Sequence, residues 1–231
     1  MNERGLRVAG AALIAIVGVW AGARVYLGRA IPPKQRVAIP VGEASAPTTS
    51  DLIDSAEPPA AVKIPEYLPK FSLQGLDGKL TSIAGWAGRS LVINFWATWC
   101  APCRREIPLL EALSDEWAER DVTVVGIAVD HREQVSAFAK ELKIGYPVLI
   151  GEQDALDVAS SLGVESPLFP FTVFTDRRGE VVALYIGELH KPQANLILSV
   201  VQNLNRDRVA LPEARRSITE GLQNLLAGKP S

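Results

Sequence analysis

Cys100 and Cys103 are the only cysteines in the chain, and Ala101 and Pro102 between them set a spacing at which the two sulfurs can pair. Ahead of them, Leu91 to Trp96 (LVINFW) is β-branched, aromatic and almost wholly apolar, as a central strand buried on both faces should be. Behind them, Arg104 to Trp117 repeats apolar residues at helical spacing, with Ile107, Leu110, Leu113 or Ser114, and Trp117 on one side. The cysteines therefore stand where a strand runs into a helix. The unpaired N–H groups of a first helical turn favour negative charge, so Cys100, at the exposed end, is expected to be a thiolate and a nucleophile at neutral pH. Such a pair can exchange disulfides or supply half of a metal site. A structural zinc site needs four ligands, and the chain offers only Cys100, Cys103, His131 and His190, without the clustered second pair such sites use. The residues point to thiol chemistry that needs no metal and no cofactor.

Composition narrows the field further. The chain has 231 residues, more than one ordinary domain and less than two comfortable ones. A net charge of −2 provides no basic footprint, which argues against nucleic acid as a partner. Apolar residues make up 48% of the whole, a figure inflated by the N-terminus but still sufficient for a core. With two cysteines in all, a disulfide framework is excluded, and any disulfide inside the monomer joins Cys100 to Cys103.

The longer string Asn94-Phe95-Trp96-Ala97-Thr98-Trp99-Cys100, followed by Cys103, Glu106 and Pro108, resembles the TlpA, ResA and DsbE/CcmG branch of the thioredoxin superfamily, which consists of membrane-tethered bacterial proteins. The resemblance implies an α/β, thioredoxin-like fold: a central mixed β-sheet flanked by helices, with an N-terminal β-hairpin extension. It also implies an enzyme, a protein-disulfide oxidoreductase in which Cys100 attacks and Cys103 resolves. Phe169-Pro170-Phe171-Thr172 is similar to the family's X-Pro-x-Thr element, whose proline is cis and faces the dithiol, so Phe169 should offer its backbone to a substrate strand. Pro167 is the competing proline. Trp99, Ala101, Pro102, Phe169 and Gly187 are the implied substrate-binding residues, Gly187 by leaving room for a substrate chain. Asn94 stands where ordinary thioredoxins carry a buried Asp, and asparagine cannot accept a proton. Glu106, one helical turn beyond Cys103, is therefore assigned as the proton acceptor for Cys103, against the alternative of an exposed glutamate. Pro108 should kink the helix. His131 and His190 are read as surface residues at element ends, without a chemical role.

The remaining chain must position these groups. Val8 to Ala23 is an uncharged apolar run of sixteen residues, read as an N-terminal membrane anchor, with Ala21-Gly22-Ala23 keeping a cleaved signal sequence open. Two basic residues precede the run and four follow it, which by charge alone favours a cytoplasmic domain; the family layout implies the opposite. Residues 1–27 are thus anchor or signal sequence, and 28–63 a Pro/Ala-rich linker reaching on the order of 35 Å as a flexible coil. Residues 64–205 form the thioredoxin-like domain. Within it come a hairpin from Phe71 to Leu80, a strand at Val122–Val129, and a helix through Val135, Phe138, Ala139 and Leu142. A strand at Pro147–Ile150, a helix at Ala155–Leu162, a hairpin of Phe171–Thr175 with Val181–Ile186, and a closing helix at Leu196–Leu204 complete it. Residues 206–231 are a C-terminal extension, helical over Pro212–Ala227, that should dock on the domain or on a partner.

The implied function is reduction of disulfides in extracytoplasmic proteins, of the cytochrome c or copper-site maturation type, in a domain held in the periplasm by an inner-membrane anchor and supplied by a membrane electron donor. The alternatives are a protein disulfide oxidase and a copper-handling or scaffolding protein that binds metal through the two thiols. A soluble periplasmic protein results if the N-terminal segment is cleaved.

Overall fold

The computed structural model describes residues 64–165 and 168–228, and in it seven strands form one mixed sheet in the order β2-β1-β5-β4-β3-β6-β7. Its centre is β3 (Ser90–Trp96), every residue of which is buried, as its unbroken apolar run requires. β3 runs parallel to β4 (Val122–Val129) and antiparallel to β6 (Phe171–Thr175). Beyond them, β4 is parallel to β5 (Val148–Gly151), β6 is antiparallel to β7 (Val181–Ile186), and the hairpin of β1 (Ser72–Gly75) and β2 (Leu80–Ser82) extends the β5 side. Parallel neighbours need crossovers, and α1 (Ala101–Trp117) carries β3 to β4 while α2 (Arg132–Glu141) carries β4 to β5. Three more helices follow: α3 (Gln153–Ser161), α4 (Lys191–Asn205) and α5 (Leu211–Leu226).

Strand alternation divides the core in two. Val92, Trp96, Val124, Ala128 and Phe174 face one layer with buried residues of α1, α2 and α4 and Ile218 of α5. Leu91, Ile93, Phe95, Val125, Ile127, Phe171 and Val173 face the other with α3. Asn94 and Thr172, buried and opposite one another in the β3–β6 register, are flanked by residues of the first layer. Gly126, opposite Asn94 on β4, lies under the Trp96 indole. A Cβ there would come within 2.8 Å of Trp96 Nε1 and 3.0 Å of the Tyr146 ring, so the close approach requires glycine.

Some elements depart from the sequence reading. A 3-10 turn at Ile83–Trp86 was not anticipated, although Ser82 begins it by accepting from Ala84 N. α4 starts five residues earlier than expected, at Lys191, because Pro192 occupies its first turn, where the missing N–H costs nothing. α1 continues through Pro108, whose side chain stands on the exposed side. α5 buries Ala214 and Ile218 and packs against α4, while Arg215 Nη2 donates to Val181 O at 2.6 Å. Val8–Ala23, the linker to residue 63 and Pro167 lie outside the described residues, within which no helix is long and apolar enough to cross a membrane.

Candidate active site

The dithiol sits at the C-terminal end of β3. Cys100 N donates to Ala97 O at 3.1 Å, turning the chain out of the strand, and Asp130 at the end of β4 accepts from the Thr98 N–H (3.3 Å) and the Thr98 hydroxyl. That double contact pins the approach to the cysteines. Cys100 is the N-cap of α1, and its Sγ accepts from Cys103 N at 3.2 Å. The position is the one in which a thiolate gains most from the helix terminus. Cys100 and Cys103 are joined as a disulfide, with Cα atoms 5.3 Å apart. The expected contrast between an exposed and a buried sulfur is smaller than the sequence implied: Cys100 is only 5% exposed and Cys103 fully buried. The Cys100 sulfur lies back over the first helical turn, and its exposed neighbours are Trp99, 70% exposed, and Ala101. Pro102, within the first turn, is partly buried.

Glu106 is buried, 2% exposed, which sets aside the exposed alternative. It lies one turn along α1 from Cys103, and both are among the helix's buried residues. Its Oε1 accepts from Asn94 Nδ2 at 2.7 Å and its Oε2 from Leu189 N at 2.8 Å. Asn94 spends its second amide hydrogen on Thr172 Oγ1, at 3.0 Å. Burial pushes the Glu106 carboxyl up to about 7, with the two donors opposing the shift and the nearby Glu188 charge adding to it. Glu188 itself is held in a two-toothed contact by Arg105, with Nε at 3.1 and 3.0 Å from its oxygens, and that hydrogen bond keeps its carboxyl below the ordinary value. The Arg105–Glu188 clasp ties the segment bearing the Leu189 N–H to α1.

The outer edge is apolar. The Phe169–Pro170 bond is cis, as the resemblance implied. Phe169 meets Trp99 edge-on at 6.0 Å between ring centres and Phe171 at 6.2 Å, and Phe171 stacks on Phe95 at 4.3 Å. Gly187 N donates to Pro170 O at 2.9 Å. At φ +106° its backbone favours glycine, and a Cβ there would meet nothing of the protein within 4 Å. Exposed Leu168 and Ile186 extend this edge on either side. His131 and His190 are exposed N-caps of α2 and α4. Among the described residues, no three His, Cys, Asp or Glu side chains are grouped as a metal site.

Sequence reasoning brought Cys100, Cys103, Glu106, Trp99, Phe169 and Pro170 to one end of the sheet, where the structure also places them. It missed the Leu189 N–H, Thr172 as partner of Asn94, Asp130 and the Arg105–Glu188 clasp. Only Thr172 carried a signal, as the threonine that follows Pro170 by two positions.

Comparison with known proteins agrees with this arrangement. The Redoxin family model matches residues 63–198. The thioredoxin-like protein YneN of Bacillus subtilis is 34% identical over 132 residues, which cover 55% of this chain and 74% of that protein. The thiol-disulfide oxidoreductase ResA of Bacillus cereus is 32% identical over 133 residues, covering 57% and 75%. Among solved structures, a thiol:disulfide interchange protein of the thioredoxin family from Chlorobium tepidum superposes with a TM-score of 0.54 at 31% identity, over 62% of this chain and 99% of that one.

Proposed function

This chain belongs to the Redoxin family and is a thioredoxin-like thiol–disulfide oxidoreductase, and from that premise we propose that it works as a reductant of disulfides in extracytoplasmic protein substrates. The observation that carries the proposal is a disulfide capping a helix, with a buried carboxylate held by neutral donors one turn farther along. In the reduced protein, the Cys100 thiolate attacks one sulfur of a substrate disulfide. The substrate S–S bond breaks, a substrate thiolate leaves, and a mixed disulfide with Cys100 forms. Cys103 then passes its proton to Glu106 and attacks Cys100 Sγ. The mixed bond breaks, the second substrate sulfur leaves as a thiolate, and two electrons have moved to the substrate. The Cys100–Cys103 disulfide of the structure is the product of this step, and a membrane dithiol donor resets it. Trp99, Ala101, Pro102, Phe169 and Pro170 receive the substrate segment.

A buried acceptor for Cys103 favours reduction, because a reductant must release its mixed disulfides quickly. The cytochrome c or copper-site maturation role rests on the resemblance to ResA and its relatives. Anchoring by residues 1–27 and a tether over 28–63 rest on the uncharged apolar run and the proline-rich composition of the sequence. The described domain begins with Leu68 N donating to Gly179 O and Val181 N to Glu66 O, beside the β6–β7 turn at the start of β3, the opposite end of that strand from the dithiol.

Two measurements test the proposal. Equilibration with glutathione should give a potential nearer that of thioredoxin, about −270 mV, than that of a strong oxidase, about −120 mV; the oxidising value would refute reduction. Cys103→Ser should accumulate mixed disulfides with partner proteins on non-reducing gels, and Cys100→Ser almost none. Equal accumulation would reverse or abolish the assignment of attacker and resolver.

A further inference from the structure

Asn94 has no place in the exchange reaction itself, yet it is fully buried on the central strand, touching the carboxylate that the reaction uses. Both of its amide hydrogens are committed, one to Glu106 Oε1 at 2.7 Å and the other to Thr172 Oγ1 at 3.0 Å. Thr172 is its register partner on β6, so the amide is held by the sheet rather than by a flexible contact. Its Oδ1 is buried without a partner. That is a cost the fold bears in order to point the nitrogen at Glu106. The opposite orientation would set Oδ1 against an ionised carboxylate oxygen, acceptor against acceptor.

We propose that Asn94 is a positioning residue: its amide, pinned by Thr172, fixes the Glu106 carboxylate on the Cys103 side of α1 and favours its ionised form. The assignment rests on Glu106 serving as the proton acceptor. A buried carboxylate without a cation relies on neutral donors to stay charged. Glu106 has two, and Asn94 is the one that comes from the sheet; the other, Leu189 N, comes from the segment after β7 held by the Arg105–Glu188 clasp. The other charged or titratable groups facing Glu106 come from three further elements. Glu188 raises its affinity for a proton. Tyr146, before β5, is pushed up chiefly by burial and then by the Glu111 and Glu106 charges; Tyr185 of β7 is pushed up by burial and then by Glu106. Neither phenol supplies a positive charge. An ionised Asp in place of Asn94 would have no hydrogen to donate to the Glu106 carboxylate and would repel it.

The test uses reduced protein and the aromatic disulfide 5,5′-dithiobis(2-nitrobenzoate). Attack by Cys100 releases one coloured thiolate, and resolution by Cys103 releases the second, so the two steps appear as separate phases. In wild type, the slow phase should accelerate as pH rises through about 7. Asn94→Ala and Asn94→Leu, which remove the donor without adding a titratable group, should each move that midpoint up by about one pH unit, a roughly fivefold slower second phase at neutral pH, with the first phase unchanged. Adding either substitution to Glu106→Gln should move nothing further. If Glu106→Gln changes the slow phase but the Asn94 variants leave its midpoint in place, the Asn94 assignment is overturned and the Glu106 one stands. If Glu106→Gln leaves the slow phase unchanged, both fall. A purely structural role would lower the melting temperature without shifting the midpoint, so Asn94→Leu, nearly the same shape, decides even if Asn94→Ala fails to fold.

Discussion

Two carboxylates are buried at opposite ends of the sheet, and they are compensated in different ways. Asp176, in the β6–β7 turn, accepts from Arg178 N (2.9 Å) and Glu180 N (2.8 Å) on one oxygen and from Arg178 Nε (2.8 Å) on the other. Glu106 accepts from an amide side chain and one backbone N–H, with no cation in contact. At Asp176 a guanidinium and two turn amides answer the charge, and the group works as a staple. At Glu106 the desolvation is only partly answered, so the proton's affinity rises toward neutrality and the group can exchange it. The same chemical group is structural at one pole and, in the proposed mechanism, a proton acceptor at the other, and the difference lies in its neighbours.

The sharpest way to break that contrast is Asp176→Ala. It strands two turn amides and half-exposed Arg178, and should cost about 3 to 4 kcal/mol in urea unfolding, while turnover per folded molecule stays at the wild-type value. Loss of activity in the folded variant would erase the distinction between staple and acid.

The pH dependence of stability isolates Glu106. Its carboxyl titrates near 7 in the oxidised native protein and near 4.5 when unfolded, so between those values the native state binds more protons. Stability from this group is therefore complete below about pH 4.5 and declines as pH rises toward 7, by about 3 kcal/mol at most. Subtracting the Glu106→Gln curve from the wild-type curve should leave that downward slope. A flat or rising difference would mean that burial does not hold a proton on Glu106. The same variant should slow resolution of the mixed disulfide about tenfold at pH 7, with the alkylation rate of Cys100 unchanged.

Much of this was legible before the structure. The strands β3, β4, β6 and β7 are continuous β-branched and aromatic runs bounded by turn residues, and their limits fell where expected to within one residue. Helical spacing placed Glu106 beside Cys103, but spacing assigns a face and not a depth, so it could not separate a buried acid from an exposed one. Depth came from contacts distant in sequence: Leu189 N is 83 positions away and Thr172 is 78 from Asn94. The start of α4 was hidden because His190 makes no side-chain cap, and its first turn shows no apolar stripe. The exposure of Cys100 was misjudged for a local reason, since its side chain folds back onto the first helical turn.

The smallest expected effect sets two threonines of one strand against each other. Thr172 and Thr175 are both buried on β6, and each hydroxyl accepts one hydrogen bond from β3: Thr172 from the Asn94 side chain at 3.0 Å, Thr175 from Leu91 N at 3.1 Å. Valine keeps the shape and removes the acceptor, so Thr172→Val and Thr175→Val should lose similar stability, about 1 kcal/mol each. Their effects on the reaction should part. At Thr175 the orphaned donor lies toward the Asp176 pole, and the resolving phase should keep its wild-type pH profile. At Thr172 the orphaned donor is the amide that holds Glu106, and freeing it lets the Asn94 nitrogen drift from the carboxylate. The midpoint of the resolving phase should then rise by a few tenths of a pH unit, less than for Asn94→Ala because the Asn94–Glu106 bond is loosened and not deleted. Matched stability losses with a shift only at Thr172 would locate proton control at one pole of the sheet. Equal shifts in both variants would instead show that any loosening of β3 against β6 disturbs the dithiol, leaving Asn94 no special part in holding Glu106.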